Sequence, residues 1–113
     1  MKIFEYHNIS LAGKSVCILG RSNIVGKPLA LLCINAGATV TSCNSQTKEI
    51  KNYTQKADII IAATGQAHIL TPDMVKNTAC IIDVGFSFLD GKIVGDADTE
   101  SFLQTGHMIT PVP

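Results

Sequence analysis

Gly20-Arg21-Ser22-Asn23-Ile24-Val25-Gly26 is a polar interruption between an apolar run, Ser15–Leu19, and an apolar pattern at helical spacing. Its residue types suit the holding of a phosphate. Gly20 permits a tight turn and Gly26 a close approach of helix to sheet. The backbone N–H groups near Ile24, Val25 and Gly26 have no intrahelical partner if a helix starts there. They point with the positive end of the helix dipole at one place, where an anion is favoured. Ser22 stands where the three-glycine dinucleotide fingerprint has a glycine, so it narrows the approach while adding a hydroxyl donor. The same spacing fits a plain strand-to-helix turn with glycines kept for packing, and a second signal is needed to separate the two.

That signal comes after the next apolar run, at Cys43-Asn44-Ser45-Gln46-Thr47-Lys48. NAD-preferring folds place a carboxylate here to accept from the ribose hydroxyls. This chain has none, so nothing repels a 2′-phosphate. Ser45 and Thr47 can donate to one, and Arg21 can reach it as a planar, permanently charged fork. The other reading is a solvated turn beside an exposed arginine, and Lys48 is read as exposed. Together the two loops favour NADP as cofactor, with NAD second.

Four segments must position these loops. Ser15–Leu19, Thr39–Cys43, Asp58–Ala63 and Cys80–Val84 are continuous apolar or β-branched runs, read as buried strands covered on both faces. Between the first two, Val25, Leu29, Leu32 and Ala36 recur at helical spacing. Pro28 falls within the first turn, and Gly37 supplies a left-handed stop. Lys48 to Gln55 reads as a short helix with Ile50 and Tyr53 inward. Thr71-Pro72-Asp73 reads as an N-cap followed by a proline at the first helical position. Asp90-Gly91 marks a hairpin turn between Phe86–Leu89 and Lys92–Val94. Asp98 caps a last helix through Leu103, before a strand at Met108–Thr110. The alternation predicts an α/β fold, a Rossmann-like three-layer sandwich with a mostly parallel sheet.

The totals narrow the class. A chain of 113 residues with 46% hydrophobic and 16% charged residues suits one globular domain, expected to fill residues 1–113. Lys plus Arg equals Asp plus Glu, so there is no global attraction to nucleic acid or anionic lipid. The apolar runs are too short to span a bilayer and the amino terminus lacks a signal-peptide core, which makes cytoplasm the expected location. Cys17, Cys33, Cys43 and Cys80 lack Cys-x-x-Cys spacing and read as buried reduced thiols rather than ligands. His7, His68 and His107 have no metal-ligand spacing.

The Gly20–Pro28 block, Ser45 after the second strand, Asp83-Val84-Gly85, Gly95-Asp96 and the closing Thr110-Pro111-Val112-Pro113 follow one another in an order that resembles a known family. It is the bifunctional methylenetetrahydrofolate dehydrogenase/methenyltetrahydrofolate cyclohydrolase family, and the likeness runs from about Ile9 to Pro113. The resemblance implies that Gly20, Arg21 and Ser22 contact the cofactor's phosphates, including the 2′-phosphate. It places Ser45 beside the ribose, Phe86 near the nicotinamide and Pro113 at the start of a folate-contacting loop. Ile24, Val25, Gly26, Thr64 and Gly65 complete the candidate cofactor-binding set. The chain departs from the family at Asn44 and Gln46, where His and Lys are usual, and at Phe86-Ser87, where Ile-Asn is usual. The first departure removes a cation near the 2′-phosphate, and the second crowds the nicotinamide pocket.

The family's acid–base lysine sits in a Tyr-x-x-x-Lys motif of an amino-terminal domain. Tyr53-Thr54-Gln55-Lys56 has the wrong spacing and reads as surface helix. The resemblance therefore implies a cofactor-binding half without catalytic residues, a fragment lacking the other domain and a final helix, inactive alone. It further implies a homodimer formed through this domain, with an exposed sheet edge as partner surface, and folate binding only with the absent half. Two alternatives remain: a non-catalytic nucleotide-binding module, or the cofactor domain of another NADP dehydrogenase of the shikimate type.

Overall fold

The computed structural model describes residues 11–20, 26–44, 46–64, 69–84, 87–89, 92–97, 99–106 and 108–110. Strand β1 (Ser15–Gly20) leads to helix α1 (Gly26–Asn35) and strand β2 (Thr39–Cys43). Helix α2 (Ile50–Thr54), strand β3 (Ile59–Ala63), a 3-10 turn (Pro72–Met74) and strand β4 (Cys80–Asp83) follow. Strands β5 (Ser87–Leu89) and β6 (Lys92–Val94), helix α3 (Thr99–Gln104) and strand β7 (Met108–Thr110) complete the order. Among the described residues the main sheet has five strands in the order β2-β1-β3-β4-β7, every neighbouring pair parallel. Strands β5 and β6 form a separate antiparallel pair whose register, Leu89 opposite Lys92, leaves residues 90 and 91 to connect them. That turn, like the Asp98 cap, lies outside the described residues.

Alternate side chains of the central strands enter two cores. Cys17, Leu19, Ile60 and Ile81 face one layer with Ile50 of α2 and Phe102 of α3. Val16, Ile18, Ile59, Ile61 and Ile82 face the other with Ala30 and Cys33 of α1. The sheet is thus covered on both faces, the three-layer α/β arrangement expected. It explains why these strands are apolar without alternation. Strand β2 is the exception. It is an edge strand, and of its residues only Cys43 is buried.

The inward face of α1 differs from the expected one. Leu32 is 47% exposed and Ala36 is exposed, while Cys33 is fully buried. Small residues on the sheet side let the helix approach closely, and Leu31, Leu32 and Ile34 are left outward. The helix ends in a Schellman motif: Gly37, at φ +89°, donates to Ile34 O and Ala38 N donates to Cys33 O, both at 3.0 Å. In α2, Tyr53 is outward, against expectation, and Thr54 takes the buried position because its hydroxyl donates to the carbonyls of Lys51 and Met74. Thr71 precedes the 3-10 turn, but its hydroxyl bonds the Asp73 carboxylate, not a backbone amide, so it does not cap by side chain.

The cysteines are buried and unbridged. Cys17 and Cys43 bring their sulfurs to 3.8 Å, and burial, reinforced for Cys17 by its neighbour, pushes both thiols above their ordinary range. Protonated, enclosed thiols fill core space and are poor nucleophiles.

At the amino ends of the strands, Asp58 joins three segments. Its Oδ2 accepts from Ser15 N at 2.9 Å, and its Oδ1 pairs with Lys76 Nζ. The Lys76 hydrogen bond first, and the Ser15 amide second, hold the carboxyl below the usual carboxylate range. Folding therefore favours the ionised form, and its contribution is complete above the unfolded value near ~3.9 and is lost as pH falls through the lower folded value. Asp58→Asn is expected to lower the urea midpoint at neutral pH, with the gap to the parent closing as pH drops from about 5 toward about 3. A gap that stays constant over that range contradicts this role.

Candidate functional site

The chain leaves β1 at Gly20, makes α1, and pairs β2 on one side of β1; β3 then pairs on the other side. That reversal of strand order makes the carboxyl ends of β1 and β3 a topological switch point, the usual ligand position in open parallel sheets. Gly20 is in register with Ala63, so Thr64 lies just beyond it at the same edge, and Gly26 opens α1. Gly20 and Thr64 thus stand at the same edge of the sheet. Arg21, Ser22, Ile24, Val25, Ser45, Gly65, Phe86 and Pro113 lie outside the described residues. The described residues that flank them are the carboxyl ends of β1, β2, β3, β4 and β7, all at one edge of the sheet.

The turn after β2 is held by its own side chains. Asn44 Oδ1 accepts from Gln46 N at 2.7 Å, Thr47 Oγ1 accepts from Asn44 N at 2.9 Å, and Thr47 N donates to Asn44 O at 3.0 Å. Thr47, expected as a phosphate donor, is used here as an acceptor, a bond that does not consume its hydroxyl proton, and Lys48 is exposed. No carboxylate stands among the described residues of this turn, so the acceptor that selects NAD is absent from it.

Two buried acids at this edge escaped sequence reasoning as site components. Asp83, 5% exposed at the end of β4, accepts from Asp96 N at 3.3 Å and Ala97 N at 2.8 Å. Asp96, fully buried, accepts through Oδ2 from Thr64 N at 2.5 Å and Thr64 Oγ1 at 2.8 Å. The Asp96 carbonyl also accepts from Leu70 N at 2.9 Å. One strand end thereby fixes the segment at residues 95–97, which in turn fixes the residue leaving β3. The available signal was the presence of both acids in otherwise apolar stretches, Cys80–Gly85 and Ile93–Ala97. Val84, next to Asp83, is 46% exposed and puts an apolar side chain at the same edge.

Other features fall elsewhere. Tyr53 and Lys56 are exposed on and just after α2. A cavity of ≈ 470 Å³, lined by Lys14, Asp58, Cys80 and Gly106 among others, opens at the amino ends of the strands, away from the switch point. Among the described residues no group of acidic, His or Cys side chains is placed to hold a metal, and no helix is long and apolar enough to cross a membrane.

Comparison with known proteins agrees with this geometry. The bifunctional protein FolD of Dechloromonas aromatica is 57% identical across all of this chain, which spans 40% of that relative's length. The crystal structure of the FolD methylenetetrahydrofolate dehydrogenase/cyclohydrolase from Campylobacter jejuni superposes with a TM-score of 0.95 at 47% identity, over 100% of this chain and 40% of that one. The Trypanosoma brucei methylenetetrahydrofolate dehydrogenase-cyclohydrolase, solved with NADP and an inhibitor, superposes with a TM-score of 0.85 at 32% identity over 100% and 41%. The family model for the NAD(P)-binding domain of tetrahydrofolate dehydrogenase/cyclohydrolase matches residues 1–113, and the chain belongs to that family.

Proposed function

We propose that this chain is the NADP-binding half of a methylenetetrahydrofolate dehydrogenase/methenyltetrahydrofolate cyclohydrolase, one domain that binds the dinucleotide and leaves catalysis to a second half. The observation that carries the reading is the topological switch point at the carboxyl ends of β1 and β3, where Gly20 and Thr64 stand at one sheet edge beside a turn, Asn44 to Lys48, without a carboxylate. The donor set fits a phosphorylated dinucleotide: backbone amides at a helix start, an arginine and a serine at residues 21–22, and no carboxylate in residues 44–48 to repel a second phosphate.

Gly20, Arg21, Ser22, Ile24, Val25 and Gly26 are assigned to the phosphates, Arg21 with Ser45 to the 2′-phosphate, and Thr64, Gly65 and Phe86 to the nicotinamide side. When bound, the nicotinamide supplies the oxidising chemistry, and this chain binds and orients it. Holding the one-carbon carrier against it needs a second wall, to which Pro113 would contribute one folate contact and the remaining length of the relatives the rest. In this reading the chain is soluble and cytoplasmic. It pairs with a second copy through the uncharged edge strand β2, beside the apolar outer side of α1.

Calorimetric titration tests the reading. NADP is expected to bind at least about tenfold more tightly than NAD, the result of one further phosphate recognised by a charged donor. Methylenetetrahydrofolate-dependent reduction of NADP is expected only when a separately made amino-terminal half of a relative is added. Absence of binding of either dinucleotide, or turnover by the chain alone, contradicts the reading.

A further inference from the structure

We infer that Asp96 is a positioning residue for the nicotinamide half of the dinucleotide, acting through Thr64; the inference rests on the dinucleotide reading of this edge. Two donors of one residue, Thr64 N at 2.5 Å and Thr64 Oγ1 at 2.8 Å, converge on a single oxygen, Asp96 Oδ2. That arrangement fixes both the backbone and the side-chain rotamer of the residue that leaves β3. Thr64 sits one residue past Ala63, level with Gly20, on the β3–β4 side of the switch point. A dinucleotide lying across the switch point, with its 2′-phosphate toward the turn after β2, puts its nicotinamide half on that side.

The second oxygen gives the independent argument. Asp96 Oδ1 is buried and has no hydrogen-bond partner among the described residues. An unsatisfied buried carboxylate oxygen is costly, and a neutral side chain could tie Thr64 down without that cost. Asp83 next to it meets two backbone amides with its two oxygens and shows what a folding tie looks like here. Asp96 instead sets both of its bonds on one loop residue at the ligand edge, a placement that serves the loop rather than the fold.

The test separates the two halves of the ligand. Binding of NADP and of adenosine 2′,5′-bisphosphate, which carries only the phosphorylated adenosine half, is measured by calorimetry on the chain and its variants. Asp96→Ala, which removes the acceptor of both Thr64 donors, and Thr64→Val are each expected to weaken NADP about tenfold and the bisphosphate less than about twofold, with Thr64→Ser close to the parent. The double variant is expected to be no weaker than the weaker single by more than about twofold, because one interaction is removed twice. Unchanged NADP affinity in Asp96→Ala, equal losses for both ligands, or additive losses would each overturn the inference. If Asp96→Ala does not fold, the threonine pair decides: Val and Ser variants of equal NADP affinity overturn it, and loss in Val alone supports it. A parent chain that binds neither ligand overturns the functional reading and this inference with it, whereas a parent that binds both leaves only the inference at stake.

Discussion

Arg21→Ala is expected to weaken NADP binding by roughly 30- to 150-fold, the loss of about 2–3 kcal/mol from a charge-assisted fork on a phosphate. NAD, which lacks that phosphate, should lose less than about threefold, so the variant should hardly distinguish the two dinucleotides. The argument starts from position: Arg21 follows Gly20, the last residue of β1, and β2 pairs with β1 as far as Leu19 and Cys43, so the turn at Asn44 to Lys48 starts at the same edge. With uncharged Asn44 and Gln46 on either side of residue 45, the arginine carries a larger share of the charge offered to the 2′-phosphate. Arg21→Lys should fall between, keeping the charge but losing the planar fork. Equal losses for NADP and NAD in Arg21→Ala, read by the same titration, would remove Arg21 from the 2′-phosphate and with it the stated cofactor preference.

The strands that carry this site were legible because a parallel sheet buried on both faces leaves a plain trace. Val16 to Leu19 and Ile59 to Ile61 admit no polar residue, since each side chain enters one core or the other. Strand β2 was misread as buried because Thr, Val, Thr and Ser favour extended backbone equally at an edge or in a centre, and only pairing decides which.

The phase of α1 was lost in a helix apolar on nearly every side. What selects Ala30 and Cys33 for the sheet is side-chain volume against a surface that periodicity does not report. Asp83 and Asp96 were hardest. Their burial depends on the Thr64 amide just past β3 and on the amides of residues 96 and 97, and no local pattern announces such partners. Quoted only as part of a family resemblance, they turn out to be the posts on which the ligand edge is mounted.

The Asp83 post has the largest expected effect on stability. Asp83→Ala removes the acceptor for Asp96 N at 3.3 Å and Ala97 N at 2.8 Å, in a place where the acid is 5% exposed and water cannot readily substitute. The shorter bond to a charged acceptor and the penalty for stranded amides together amount to about 3 kcal/mol. Against a total of about 5–15 kcal/mol for a domain, that is a large fraction, and it corresponds to a Tm lower by roughly 10 °C or more. Asp83→Asn should cost about half as much, because its carboxamide accepts from one amide and turns an N–H toward the other. Since residues 95–97 also bond Leu70 and Thr64, the damage should spread: hydrogen-exchange protection at Thr64 and Leu70 should fall in Asp83→Ala along with that at Ala97. A Tm within about 2 °C of the parent would mean the two amides find other acceptors, and the edge would then be held by something other than this pair of acids.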